Sequence, residues 1–352
     1  MESPTATELA LPGLEGGVVM SDPAPEHYIV RGPQKRLMVF SGRSHLDLAL
    51  SMAEKLGVEL GDVELSTFPN DETYCRYLES IRGADVFIVQ TGCPPVDKNL
   101  MELVLMIQAA KLASAKRITA VIPWFPYSRQ DRKAKPREPI SARLVADMLQ
   151  LAGVDRVLTM DLHAGQIQGF FTLPVDHMTA LQLFATHFRD HGLTGDGVVA
   201  VAPDAGRAKH AVRFAEMIEA SFAIMHKMRV TTDQVEITEV TGKVRDKVAI
   251  VGDDVATTGG TLIAGAKALK EHGATEVNVF VTHALFSDDA LERIGNSEID
   301  RIVITDTIPV DPRKRPENMT LLSVSGLLAE AIMNVFADDS VSAIFGGENQ
   351  LF

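Results

Sequence analysis

The run from Val248 to Thr261 constrains this chain more than any other stretch. It opens on four unbroken apolar residues, Val248–Val251, as a parallel strand buried on both faces requires. Two adjacent carboxylates follow, Asp253 and Asp254, and then Thr257, Thr258, Gly259, Gly260 and Thr261. Helical spacing runs from about Leu262 to His272, and a second apolar run, Val277–Val281, reads as the next strand. The stretch is therefore a βαβ unit with its polar loop at the carboxyl end of the first strand. Open α/β sheets bind ligands at that position.

The loop has a chemical logic. Glycines let backbone N–H groups close around an anion, and the helix that follows directs its positive end at it. The threonine hydroxyls add donors, so a phosphate monoester fits. Asp253 and Asp254 would repel that phosphate and must face another part of the ligand. A vicinal diol, as on ribose, offers donors to both carboxylates. The run reads as a cradle for ribose 5-phosphate, although each residue taken singly would also suit a capped strand–helix turn. Two other phosphate loops are excluded. Gly260 and Gly265 have the spacing of a Walker A loop, but Ala266 stands where lysine is required, and no G-x-G-x-x-G follows a strand.

The rest of the chain alternates in the same way. Strands are expected at Leu37–Phe40, Asp62–Thr67, Tyr74–Tyr77, Asp85–Gln90, Arg117–Pro123, Arg156–Met160, Gly197–Ala202, Phe222–His226, Val235–Val240 and Arg301–Thr305. Helices are expected at Leu46–Leu56, Lys98–Ala113, Ser141–Leu151, Met178–Asp190, from about His210 to Ala220, and at Gly326–Val335. Lys227–Gln234 reads as a polar loop. The fold class is α/β, with mainly parallel sheets flanked by helices. A length of 352 residues suggests two domains, divided near residue 178. Residues 1–36 are rich in Pro, Gly and Glu without periodicity and are expected to be a disordered extension. A net charge of −13 argues against a nucleic-acid or anionic-membrane partner. Cys75 and Cys93 are the only cysteines, which excludes a disulfide framework and points to a reducing cytoplasm. No apolar run is long enough to span a membrane, and the start lacks a signal-peptide pattern.

Other groups cluster at strand ends. Asp161 and His163 follow one strand and Asp204 another; each could meet a divalent cation or serve structurally. Lys227 and Arg229 are either a solvated turn or a basic clamp on a transferring phosphoryl group. Arg129, Arg132, Lys133, Lys135 and Arg137 form a basic cluster suited to a polyphosphate, and Phe68, Trp124, Phe125 and Tyr127 are candidate base-stacking rings or core.

Taken in order, these motifs resemble a family. Phe68-x-Asn70-x-Glu72, Arg129-Gln130-Asp131, Asp161 to Phe171, Pro203 to Gly206, His226 to Arg229 and the Asp253–Asp254 loop are similar to the ribose-phosphate diphosphokinases, from about Leu37 to Phe345. The resemblance implies two phosphoribosyltransferase-type domains. It implies that Phe68, Asn70 and Glu72 hold the adenine of ATP across a subunit boundary and that Arg129, Gln130 and Asp131 hold the polyphosphate. His163 and Asp204 fall at magnesium positions, and Lys227 and Arg229 on a mobile catalytic loop. Asp253, Asp254 and Thr257–Thr261 would bind ribose 5-phosphate. Ser80, Arg82, Ser114, Ser340 and Ser342 match a regulatory phosphate site, so a homo-oligomer, usually a hexamer built from dimers, with phosphate and ADP as effectors is implied.

The implied reaction moves the diphosphoryl group of Mg-ATP to the C1 hydroxyl of ribose 5-phosphate and releases AMP. Three departures stand out: Thr257 replaces a common third aspartate, Arg207 a glycine, and His210 a basic residue. They leave room for a non-catalytic regulatory paralogue. A phosphoribosyltransferase is the other alternative, but it would not need the Phe68 and Arg129 loops.

Overall fold

In the computed structural model, residues 35–229, 235–287 and 289–345 are described. The extension expected over residues 1–36 lies outside them but for its last two residues. The first half runs β1 (Leu37–Ser41), α1 (Leu46–Leu56), β2 (Val63–Thr67), β3 (Thr73–Tyr77), β4 (Asp85–Val89), α2 (Val96–Leu112), β5 (Arg117–Ile122), α3 (Ser141–Ala152), β6 (Arg156–Met160) and β7 (Val175–Met178). It builds an all-parallel sheet in the order β1-β4-β5-β6-β7, while β2 and β3 form a separate antiparallel pair.

The second half runs α4 (Leu181–Asp190), β8 (Val198–Ala202), α5 (Ala208–Met217), β9 (Ser221–Arg229), β10 (Val235–Thr241), β11 (Val248–Ala256), α6 (Gly260–Glu271), β12 (Glu276–Ala284), α7 (Ala290–Gly295), β13 (Arg301–Thr305), β14 (Met319–Leu322) and α8 (Ser325–Ala337). Its sheet has the order β10-β9-β8-β11-β12-β13-β14 and is parallel except for β10 against β9.

The apolar runs explain the layering. Val86 and Ile88 of β4 face one core with α2 and α3, while Phe87 and Val89 face a second, because successive strand residues point to opposite faces. That second core lies between the sheets. It takes Leu158 and Met178 from the first sheet, Val198, Ile250 and Phe280 from the second, and residues of α1, α4, α5 and α8. The opposite face of the second sheet packs on α6 through Leu262, Ala266 and Leu269. From Leu37 onward the chain is one compact unit.

Phe280 is the hub of the central core, with ring centroids 4.6 Å from both Phe184 and Phe214. Gly252 lies against it: a Cβ there would sit 2.1 Å from the ring. Gly252→Ala is therefore expected to cost about 1–3 kcal/mol through overpacking. Chemical denaturation should show a lower midpoint with an unchanged slope.

Several expected boundaries move. Met178 closes a strand rather than opening a helix, and α4 starts at Leu181. α6 begins at Gly260, two residues before the expected start, and α7 and β14 were not expected at all. Lys227 and Arg229, expected in a loop, have their backbones on β9, opposite Ile237 and Val235 of β10. Asp253 and Asp254, expected beyond their strand, lie on β11, which continues to Ala256 along β12.

Candidate functional site

The second sheet reverses direction between β8 and β11: the chain fills β9 and β10 on one side of β8 and then crosses to the other. Such a switch point opens a crevice at the carboxyl ends of the strands. Here the opening is visible in the register. β8 and β11 pair only from Val198–Val248 to Val201–Val251, and β11 then continues beside β12 alone. The carboxylates of Asp253 and Asp254 emerge where pairing with β8 has ended.

The turn after β8 fills that gap. Arg207, at the end of a 3-10 turn (Ala205–Arg207), donates from Nη2 to Asp254 Oδ1, and its Nε lies 3.7 Å from Asp253 Oδ1. From the first sheet, His163 donates its Nδ1 proton to Asp254 Oδ2 at 2.7 Å. We assign the proton to Nδ1 because a carboxylate can only accept, which leaves Nε2 as the imidazole lone pair. Both oxygens of Asp254 are thus engaged, and the residue is buried. Of the two carboxylates expected to face a diol, Asp254 is the one held by Arg207 and His163 in this structure.

The electrostatics separate the pair. Burial works to raise the Asp254 pKa, but the hydrogen bond from His163 and the charge of Arg207 outweigh it and hold the carboxyl well below the ordinary range. Burial and the neighbouring Asp254 charge push the Asp253 carboxyl well above that range. Burial opposes the Arg207 charge, yet Asp254 and Asp253 more than compensate.

A cavity of about 350 Å3 adjoins this cluster. Its walls include Asp131 and Arg132 from the loop after β5, His163 and Gln166 after β6, Arg207, Lys209 and His210 after β8, and Asp254 on β11. Three connections and strand β11, from two sheets, thus meet at one place. Arg132, Arg207 and Lys209 bring positive charge to it in a chain of net charge −13. Gln166 donates to Asp131 Oδ2. Arg129 reaches across the halves, donating from Nη1 to Thr257 Oγ1 at 2.9 Å and from Nη2 to the Val255 carbonyl at 3.3 Å. Gln130 instead accepts from Ser141 Oγ at 2.6 Å. In the glycine loop, Gly259 takes a positive φ of 69° at the N-cap of α6, and the Gly260 N–H points at Thr258 Oγ1 at 3.4 Å.

The halves are also joined by buried polar groups. Asp161 Oδ2 accepts from the Ala180 N–H at 3.0 Å and from Thr282 Oγ1 at 2.7 Å, so it is committed to structure. His283 donates from Nε2 to the Met160 carbonyl at 3.0 Å. His177 Nε2 accepts from the Leu162 N–H at 2.8 Å, and burial pushes its pKa down to about 4. Burial lowers His210 and His283 in the same sense. Below the ordinary histidine value of 6.5, the unfolded chain binds protons that the folded chain refuses. Stability is therefore expected to fall as pH drops from 6.5 toward 4, by several degrees in Tm, and His177→Gln should flatten the slope. A Tm that stays level through that window would show that these histidines are not held neutral.

The other sequence candidates lie elsewhere. Phe68 and Glu72 line a separate cavity of about 740 Å3 with Val96, Met101 and Leu105. Asn70 Oδ1 faces the Glu72 N–H at 3.4 Å in the turn between β2 and β3. Ser80 and Arg82 line a third cavity of about 440 Å3. The carbonyl of Ser114 accepts from the Gly83 N–H at 2.9 Å, beside Arg82. Ser340 and Ser342 are hydrogen-bonded to each other at 2.8 Å after α8 and are not in that wall. Asp204 precedes the turn that carries Arg207. The side chains of Lys227 and Arg229 lie outside the described residues. Sequence reasoning missed the grip of Arg207 on the carboxylates, the Arg129–Thr257 bond and the place of Lys209 in the wall. The substitutions at 207 and 257 were the available signal.

A switch-point crevice with a glycine–threonine turn, paired carboxylates and basic walls defines a phosphate-handling α/β protein. Residues 37–153 match the N-terminal domain of ribose phosphate pyrophosphokinase, and residues 228–346 match the phosphoribosyl synthetase-associated domain. A ribose-phosphate pyrophosphokinase from Fusobacterium nucleatum is 47% identical over 87% of this chain and 97% of its own length. One from Caldanaerobacter subterraneus is 48% identical over 88% of this chain and 98% of its own. The crystal structure of phosphoribosylpyrophosphate synthetase from Mycobacterium smegmatis superposes with a TM-score of 0.81 at 41% identity, covering 86% of this chain and 99% of that one. The chain belongs to the ribose-phosphate pyrophosphokinase family, whose members are transferases. Among the described residues, no helix is long and apolar enough to cross a membrane.

Proposed function

We propose that this chain transfers the diphosphoryl group of Mg-ATP to the C1 hydroxyl of ribose 5-phosphate, forming 5-phosphoribosyl 1-diphosphate and AMP. The observation that carries this reading is the hydrogen bond from Arg129 to Thr257, which ties the polyphosphate loop of one half to the sugar-phosphate loop of the other. Two substrates bound to loops joined in this way are held for reaction with each other, and that alignment removes much of the entropic barrier. Ribose 5-phosphate sits with its phosphate at Thr257–Thr261 and its diol toward Asp253, the carboxylate with less compensation. Arg132 and Lys209 face the polyphosphate. Lys227 and Arg229 neutralise the charge that spreads over the transferring group.

Mg2+ enters as part of the nucleotide. Hydrogen bonding of His163 Nδ1 to Asp254 leaves Nε2 for the ion, and Asp204 offers a carboxylate. One or two protein donors suit a cation held mainly by phosphate oxygens and water, and among the described residues no group of three or more His, Cys, Asp or Glu is placed to cage one. When bound, the ion offsets phosphate charge.

We further propose a homo-oligomer, hexameric from dimers, in which Phe68, Asn70 and Glu72 serve the adenine of a neighbouring subunit. Phosphate and ADP act at Ser80, Arg82, Ser114, Ser340 and Ser342. The separation of the Phe68 cavity from the His163 cavity supports a site completed between subunits. Sedimentation of the active enzyme as a monomer would overturn this assembly.

The decisive experiment is AMP formation from ATP, with ribose 5-phosphate and Mg2+ each omitted in turn. Loss of AMP in both omissions is the expected result. With His210 and Thr257, Arg207 across the carboxylates is what favours a non-catalytic paralogue, and no AMP under any condition would favour that alternative.

A further inference from the structure

Two adjacent carboxylates beside a phosphate-binding loop are hard oxygen donors, and such a pair ordinarily attracts a divalent cation. In this chain the same oxygens face a guanidinium. Arg207 donates to Asp254 Oδ1, stands 3.7 Å from Asp253 Oδ1 and places Nη2 3.3 Å from His163 Nδ1. Its side chain is 20% exposed, against 19% for Asp253 and 4% for Asp254, so the ion group is withdrawn from water and weakly screened. An arginine also keeps its charge at every pH that a protein survives.

The loop that follows offers nothing to rebuild a cation site. Residues 255–261 are Val, Ala, Thr, Thr, Gly, Gly and Thr, with no further carboxylate, and the Thr257 hydroxyl already accepts from Arg129. A divalent cation placed on Asp253 and Asp254 would have to displace Arg207 from a buried pair or sit against its positive charge. Mg2+ demands close, nearly octahedral oxygen ligation, which the guanidinium obstructs.

We propose that Arg207 is the built-in counter-ion of the Asp253–Asp254 pair, so that the cradle receives its sugar phosphate without a divalent cation of its own. The only metal at the site is then the one that arrives on the nucleotide. Asp254 becomes a positioning residue, which holds Arg207 and His163 in place, and Asp253 is the carboxylate left for the sugar hydroxyls. The inference rests on the proposed function only for the identity of the sugar phosphate; the metal count does not depend on turnover.

The test is a Mn2+ titration of the full chain, read by electron paramagnetic resonance without nucleotide, with and without ribose 5-phosphate. The wild-type chain is expected to show no saturable site below millimolar Mn2+. Arg207→Gln and Arg207→Gly should each gain one site per chain, at least tenfold tighter than any wild-type binding. Asp253→Asn added to Arg207→Gln should remove it, and Arg207→Lys, which keeps the charge, should not create it. A saturable nucleotide-independent site on the wild-type chain overturns the proposal, even if the variants fail to fold. So does a folded Arg207→Gln chain that binds Mn2+ no better than wild type. If AMP formation fails while these titrations behave as expected, the reaction is wrong and the counter-ion stands.

Discussion

Asp254→Asn is expected to cost up to about 3–5 kcal/mol of stability, because it takes the nearest partner from a buried guanidinium and leaves only Asp253, 3.7 Å from its Nε, to offset the charge. The charge left behind is Arg207, whose side chain is only 20% exposed. The substitution keeps the shape of the side chain, so packing changes little and the loss reports charge. Activity should fall as well. His163 loses the strong acceptor on Nδ1, and Arg207 is free to swing into the cavity, so alignment at the reacting centre degrades; displacements of about 1 Å in such sites cost about a hundredfold in rate. The depressed Asp254 pKa fixes the sign of the pH effect. Its stabilisation is present above the ordinary carboxylate range and lost as pH falls through the lower folded value, so acid should narrow the gap between wild type and variant.

Asp253→Asn is the matched control, with the opposite expectation. The raised Asp253 pKa means that its ionised form is a burden on the folded chain at neutral pH, so removing the charge should leave Tm unchanged or higher. Its KM for ribose 5-phosphate should rise well beyond that for ATP. Denaturation and kinetics on the two variants therefore separate the roles. An Asp254→Asn chain that keeps its Tm and loses only ribose 5-phosphate affinity would reverse the assignment.

Much of this architecture can be read from the chain because parallel strands buried on both faces are written as apolar runs. β8 is Val-Val-Ala-Val-Ala and β4 is buried at every position, and both stand out without a partner in view. β7 does not, because it carries Asp176 and His177. Those polar groups are satisfied by tertiary partners, Arg156 at 2.6 Å and the Leu162 N–H, which periodicity cannot reveal. β11 and β9 run past their expected ends for a related reason. Pairing with β12 on one side carries β11 through Asp253 and Asp254, and pairing with β10 carries β9 through Lys227 and Arg229. The loop after β11 stands out in the sequence because glycine, threonine and aspartate concentrate there after a buried strand. The grip of Arg207 does not, because it joins a turn after β8 to a strand placed next to it only by the crossover of the sheet.

Lys227→Ala is expected to lower kcat by at least about a hundredfold, with KM for ribose 5-phosphate nearly unchanged, since losing one charge contact made mainly in the transition state costs ~3 kcal/mol or more. The placement of the backbone gives the expectation its physical basis. β9 pairs with β8 only through Ile224 and Ala202, and beyond that point it is joined to β10 alone. Because β9 runs parallel to β8, the β9–β10 pair leaves the sheet at the carboxyl end, where Asp204 and Arg207 follow β8. A bulge between Ile237 and Glu239 bends this arm. The backbone of Lys227 lies on it opposite Ile237, two residues beyond Met225, which is buried in the core under α6. An arm of two strands gains little stability by itself, so the substitution should leave Tm unaffected. Loss of rate without loss of Tm or of ribose 5-phosphate binding is the signature of a group that acts on the transferring phosphoryl. Arg229→Ala should behave alike, and the double variant should cost less than the product of the two if both contact the same charge. Turnover within threefold of wild type would reduce the arm to a surface hairpin and move the charge stabilisation to Arg132 and Lys209.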